Sequence, residues 1–221
     1  SSQNVTSYPT GSFTVDLNDL LILWVKIAGS TIQGTVTDTL GAGGWVFVQA
    51  SANQAPTADQ LLCFVRDTLS DGTTPGTVTY DCTGDAGTGS VIFVERVSGM
   101  TRVGANAVRQ NAIQENQASG GTPAPVFASA ALTGNPTLGC VINDTNPATL
   151  TPPVDWTELA DAGHTLPARG AESVSRDSGF TGTTITWGGT SPSAFSDMII
   201  ELDTSAAAAA RIFAPLLARF P

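Results

Sequence analysis

Few side chains in this sequence are of a type and spacing that could carry a reaction. His164 is the only histidine, set in the loop DAGHTLPARG, and no GxSxG accompanies it. A serine nucleophile with a histidine base therefore has little to be assembled from, and His164 reads as a solvated loop residue. Glycoside hydrolysis needs two carboxyl groups flanking a cleft. Glu95 with Glu201, or Glu172 with Asp177, can be nominated, but a chain with 19 acids offers many such pairs. Calcium would suit the oxygen-rich stretches at Asp81/Asp85 and Asn143/Asp144, although neither follows an EF-hand spacing. Cys63, Cys82 and Cys140 show no CxxC or Cys/His grouping, so zinc is not indicated; all three read as structural thiols, and Cys63 and Cys140, in apolar runs, as small hydrophobes. The expectation is a chain with no catalytic residues, no cofactor and no metal.

The elements that would position these residues read as a pattern written twice. GGWVFVQ, LLCFVRDTLSDG, GTVTYDC and SVIFVERVSG are answered by VDWTELA, GAESVSRDSGFTG, TTITWGG and SDMIIELDTS. Trp45 matches Trp156, Arg66-Asp67 matches Arg176-Asp177, Tyr80 matches Trp187 and Ile92 matches Ile199, at offsets of 111, 110, 107 and 107 residues. That period is too long for a solenoid repeat and fits a doubled β-sandwich unit. The recurring Arg-Asp reads as an ion pair or turn-capping carboxylate at a strand end. The tryptophans are compatible with a sugar-stacking platform, but their position beside apolar strands favours core packing, with both lining one shared interior.

Charged residues make up 13% of the chain and the net charge is −10. Such an acidic surface repels phosphate backbones, so nucleic acid is not an expected partner. The longest strongly apolar run, Leu20 to Ala28, is too short to cross a membrane as a helix. Gly, Ser, Thr and Ala replace the missing charges, a mixture suited to short strands and tight turns. A chain of 221 residues buries roughly 70–75% of its unfolded surface without needing disulfides.

Taken in order, residues 1–11 read as a loose arm and Ser12–Leu17 as a weak alternation. DLLILWVKIA is apolar on both faces, as a central strand covered on both sides would be. Further strands are expected at Thr31–Thr37, Trp45–Gln49, Leu61–Arg66, Gly76–Asp81 and Ser90–Val97. Others follow at Val126–Leu132, Thr137–Asn143, Asp155–Ala160, Ala171–Arg176, Thr183–Trp187 and Asp197–Asp203. Turn signals between strands at this spacing mark a sandwich or barrel. The fold class is all-β, a two-sheet antiparallel sandwich of jelly-roll or lectin-like type with an internal pseudo-duplication. Residues 1–203 form one domain, with half-repeats at about 12–97 and 126–203 joined by an irregular segment, 98–125. The second half is too small to fold well alone, so the halves should share one core.

Residues 204–221 differ in kind. Ile212, Phe213, Leu216, Leu217 and Phe220 follow a helical amphipathic spacing, which Pro215 interrupts. A kinked helix and an extended arm both satisfy this pattern. The arm either folds back over its own sandwich or docks on a neighbouring subunit, and these five apolar residues are the candidate partner-binding set.

The order of an apolar strand opening on Asp19-Leu20-Leu21-Ile22-Leu23, Trp45 after a Gly-rich turn, Thr77–Tyr80, PPVDWTELAD around Trp156, and Thr184–Trp187 resembles a group of β-sandwich proteins from tailed bacteriophages and prophages. The resemblance covers residues 12–203, and PPVDWTELAD is its most specific part. It implies a virion surface component: a non-enzymatic capsid decoration (cement) protein on the outer surface of the particle. Its partners would be the major capsid protein or other virion subunits, together with further copies of itself as a homo-oligomer. The alternative is a fibre or cell-surface module binding carbohydrate or a receptor.

Overall fold

The computed structural model describes residues 5–29, 33–52, 59–84, 87–116, 120–143, 150–165, 168–190, 192, 194–204 and 211–219, with backbone only for 164–165, 168–169 and 211–219. The chain is all-β. In order the strands are β1 (Ser7–Pro9), β2 (Leu20–Ala28), β3 (Thr35–Asp38), β4 (Trp45–Ala50), β5 (Gln60–Arg66), β6 (Val78–Asp81), β7 (Gly89–Ser98) and β8 (Val108–Asn116). They continue with β9 (Thr137–Asn143), β10 (Leu150–Thr151), β11 (Thr157–Thr165), β12 (Ala168–Arg176), β13 (Gly188–Gly189), β14 (Phe195–Leu202) and β15 (Arg211–Arg219).

Two five-stranded antiparallel sheets dominate, ordered β15-β7-β2-β5-β4 and β11-β12-β9-β14-β8. They face each other, with β11 against β15 and β7, and β14 against β5. Leu20, Ile22, Trp24, Cys63 and Phe93 of the first sheet meet Leu138, Cys140, Met198 and Ile200 of the second in one apolar cluster. The three-stranded sheet β1-β6-β3 covers the outer face of the first sheet, where Leu21, Leu23, Val25 and Ile27 pack with Tyr8, Val78 and Tyr80. This layering explains why LLILWVKIA lacks polar alternation. Its even-numbered residues serve the inter-sheet core and its odd-numbered residues serve the outer one, and every residue of β2 is buried.

The first large sheet takes β2, β4, β5 and β7 and is completed by β15 from the C-terminal arm; the second takes β9, β11, β12 and β14 and is completed by β8 from the join. After β7 the chain crosses over and β8 pairs with β14; after β14 it returns and β15 pairs with β7. The registers run in parallel. Trp24 lies opposite Cys63 and Phe93, as Cys140 lies opposite Ser173 and Met198.

Several expectations from sequence need correction. The join 98–125 is not wholly irregular, because it carries a 3-10 turn at Gly104–Ala107 and the strand β8. VRQNAIQEN hides its periodicity because it is an edge strand, half-buried along most of its length. Val126–Leu132 and Thr183–Trp187, expected as strands, contribute only an isolated bridge, Val126 to Thr184. The two matched tryptophans do not line a shared interior. Trp45 packs on the outer core of the first sheet, and Trp156 on the outer cores of the second. Trp24 is the tryptophan that fills the space between the sheets. The helical alternative for the tail is also overturned, since Arg211–Arg219 is a strand. Its pairing with β7 skips between Phe213 and Leu216. Pro215, which has no N–H to give a ladder, falls in that bulge.

Candidate functional site

The residues proposed for partner binding lie on the rim of the first sheet. Ile212 is opposite Val97, Phe213 opposite Arg96, Leu216 opposite Val94 and Leu217 opposite Phe93. Phe220 lies outside the described residues. The arm therefore folds back in cis, as the outermost strand of its sheet. An outermost strand keeps one row of backbone donors and acceptors unpaired within its sheet, which suits it to pairing with another chain. The bulge at Pro215 interrupts that row.

The nominated carboxylate pairs are not brought together. Glu95 shares the inter-sheet face with Phe93 and Val97, whereas Glu201 lies between Ile200 and Leu202 in sequence and so points to the opposite face of the second sheet. Glu201 is buried in a structural hub: it pairs with Arg109, accepts Nε2 of Gln110 at 2.6 Å, and accepts the Leu132 N–H and Asn135 Nδ2 at 2.9 and 2.7 Å. Asp177 is exposed in the turn after β12, while Glu172 is buried within it. The backbone of His164 pairs with Arg169 in the β11–β12 hairpin.

Among the described residues the oxygen-rich stretches show no cation cage. Asp81 Oδ1 accepts the Thr83 N–H at 2.7 Å, and Asp85 and Asp144 lie outside the described residues. No group of three His, Cys, Asp or Glu among the described residues is arranged to hold a metal. None of the three cysteines is in a disulfide and all three are buried, Cys63 and Cys140 as their apolar surroundings suggested.

Three buried acids, Glu95, Glu172 and Asp197, are strongly perturbed. Glu95 Oε2 accepts the indole N–H of Trp24 at 2.9 Å, and Ser173 lies nearby. Burial nevertheless pushes the Glu95 carboxyl up to about 8, with Trp24 and Ser173 offsetting part of the rise. Burial, with Glu158 and Asp161 alongside, likewise pushes Glu172 up to about 8. Asp197 is raised well above the usual range by burial, which the neighbouring Trp187 offsets only in part. These acids are legible only in three dimensions, because a lone Glu in an apolar strand looks like any solvent-facing position.

The first of the matched Arg-Asp pairs supplies both an ion pair and a turn-capping carboxylate. Arg66 is fully buried and bonds Asp38, while Asp67 Oδ1 accepts the Gly44 N–H. Arg176 Nη1 approaches Asp155 at 3.8 Å. Surface cavities are small. One of about 170 Å³ opens between the edge strands β4 and β8, lined by Phe47, Val48, Ala105, Val108 and Arg109. A second, of about 170 Å³, lies beside Gln33, Thr35 and Thr83.

Neither a family model nor a curated protein matches the chain. Among solved structures it is similar to a rhamnosidase of Bacillus sp. GL1 at 8% identity and a TM-score of 0.27, covering 98% of this chain and 36% of that one. It is also similar to a chain from red clover necrotic mosaic virus at 15% identity and a TM-score of 0.25, covering 93% and 77%. This chain thus spans about a third of the rhamnosidase. Likenesses this weak carry no argument.

Proposed function

We propose that this chain is a non-enzymatic structural protein of a phage particle, a decoration protein that binds the outer capsid surface and bridges neighbouring subunits. One observation carries the reading. The apolar C-terminal segment is held as the outermost strand of a sandwich, a position from which a β-rich assembly can be joined by backbone pairing. The phage resemblance of residues 12–203 supplies the setting. An internal duplication, in a jelly-roll or lectin-like frame, belongs to the same reading. It is supported by the matching positions of β4, β5, β2 and β7 in one sheet and β11, β12, β9 and β14 in the other.

A glycan-binding module would need exposed aromatic faces. Trp24 and Trp187 are fully buried, and Trp45 commits its indole N–H to Asp38 at 2.8 Å, so the structural role is preferred. The test is immunogold labelling of tailed-phage particles from the source, with antibody raised against the purified chain. Label over the head supports the proposal, label confined to the tail moves it to the fibre reading, and absence of particle-bound label refutes both.

A further inference from the structure

Lys26 is the only lysine in the chain, and it is placed in the interior. It stands on β2 opposite Leu61 of β5 and Val91 of β7. Both neighbours belong to the apolar cluster between the sheets, so Lys26 shares that face. Asp59 precedes Leu61 by two residues and therefore points the same way. Lys26 Nζ lies 3.4 Å from Asp59 Oδ1, and each side chain is 1% exposed.

Keeping this pair ionised is expensive. Both ions give up their hydration, and apolar residues of similar volume often serve stability as well or better. The two groups are also held side by side by neighbouring strands, with bulk water kept away, so the amine is presented to the carboxyl group without a search through solution. A condensation here would remove two buried charges and release the water they form.

We propose that Lys26 and Asp59 condense into an intramolecular isopeptide bond, a covalent tie between the central strand β2 and the start of β5. The ammonium gives one proton to the carboxylate, and the freed amine attacks Cγ. The N–C bond forms and a C–O bond breaks. The oxygen departs with the transferred proton and a second proton from nitrogen, as water. Ammonium plus carboxylate thus becomes amide plus water, and no oxidant or co-reactant is consumed. The tie closes residues 26–59 into a ring, so β2 and β5 cannot be pulled apart without breaking a covalent bond. This inference does not depend on the phage assignment.

Intact-mass measurement of the purified, folded chain decides it. The expected mass is one water below that of the sequence. After denaturation, trypsin should fail to cut at Lys26 and release residues 1–66 as one light peptide, with no backbone fragment ions from between Lys26 and Asp59. D59N should converge on the same final mass as the native chain, since its amide leaves as ammonia and gives the same product. K26M should keep its full sequence mass. A native chain at full mass with ordinary cleavage at Lys26 overturns the proposal, as does a water loss that maps to another site.

Discussion

Arg66 and Asp38 form a buried ion pair that closes the first sheet against its covering layer. Arg66 Nε donates to Asp38 Oδ2 at 3.0 Å, and the same oxygen accepts the Trp45 indole N–H at 2.8 Å. Arg66 Nη2 also reaches the Ala42 carbonyl at 3.1 Å. One guanidinium thus orders the LGAGG turn, the end of β3 and the first residue of β4.

Removing one partner leaves the other charge buried and unpaired, which costs about 3–5 kcal/mol. Asp38→Ala should therefore lower stability by that order in urea unfolding, with Trp45 fluorescence shifting towards solvent. A loss below about 1 kcal/mol would show that the pair behaves like a surface one.

Stability should fall as pH rises. Glu95 and Glu172, raised to about 8, stay protonated in the fold while the unfolded chain already ionises near 4.5. Their contribution is full below about 4.5 and is lost progressively up to about 8, each on the order of 1 kcal/mol per pH unit within that window. Glu95→Gln keeps an acceptor for Trp24 and should raise stability at pH 7.5 while flattening the slope. Urea midpoints measured between pH 4 and 9 check this, and an unchanged slope in the variant would contradict it.

The Glu201 hub should behave differently. Four groups from β8 and the 132–135 turn converge on its carboxylate, so Glu201→Ala strands Arg109 and several buried donors. A loss of about 3–5 kcal/mol is expected, with Glu201→Gln losing less. Hydrogen exchange should show faster opening of β8 and 129–135 than of β2. Uniform loosening would place the hub's effect elsewhere.

Deleting residues 204–221 removes β15 and leaves the β7 edge without its neighbour. An uncovered edge is a template for association. The shortened chain should self-associate in light scattering, and by the proposed role it should bind particles less well. A monomer with full particle occupancy would show that the arm neither seals the sheet nor docks.

The sequence by itself determined the strands with a strong local signature: the doubly apolar β2, the β5 run ending in Arg66-Asp67, the T-V-T-Y alternation and the burial of Cys63 and Cys140. Periodicity states which faces of a strand meet water, and these strands have unambiguous faces. It does not state which strand lies alongside. Tertiary structure alone decided that β8 completes the second sheet and β15 the first. Both strands are edges whose one-sided pairing leaves a weak or misleading pattern, polar in VRQNAIQEN and helix-like in RIFAPLLAR. The same holds for Lys26 and Asp59, and for Glu95 beside Trp24. Their meeting depends on register and on the stacking of two sheets, and neither is encoded in the spacing of a single segment.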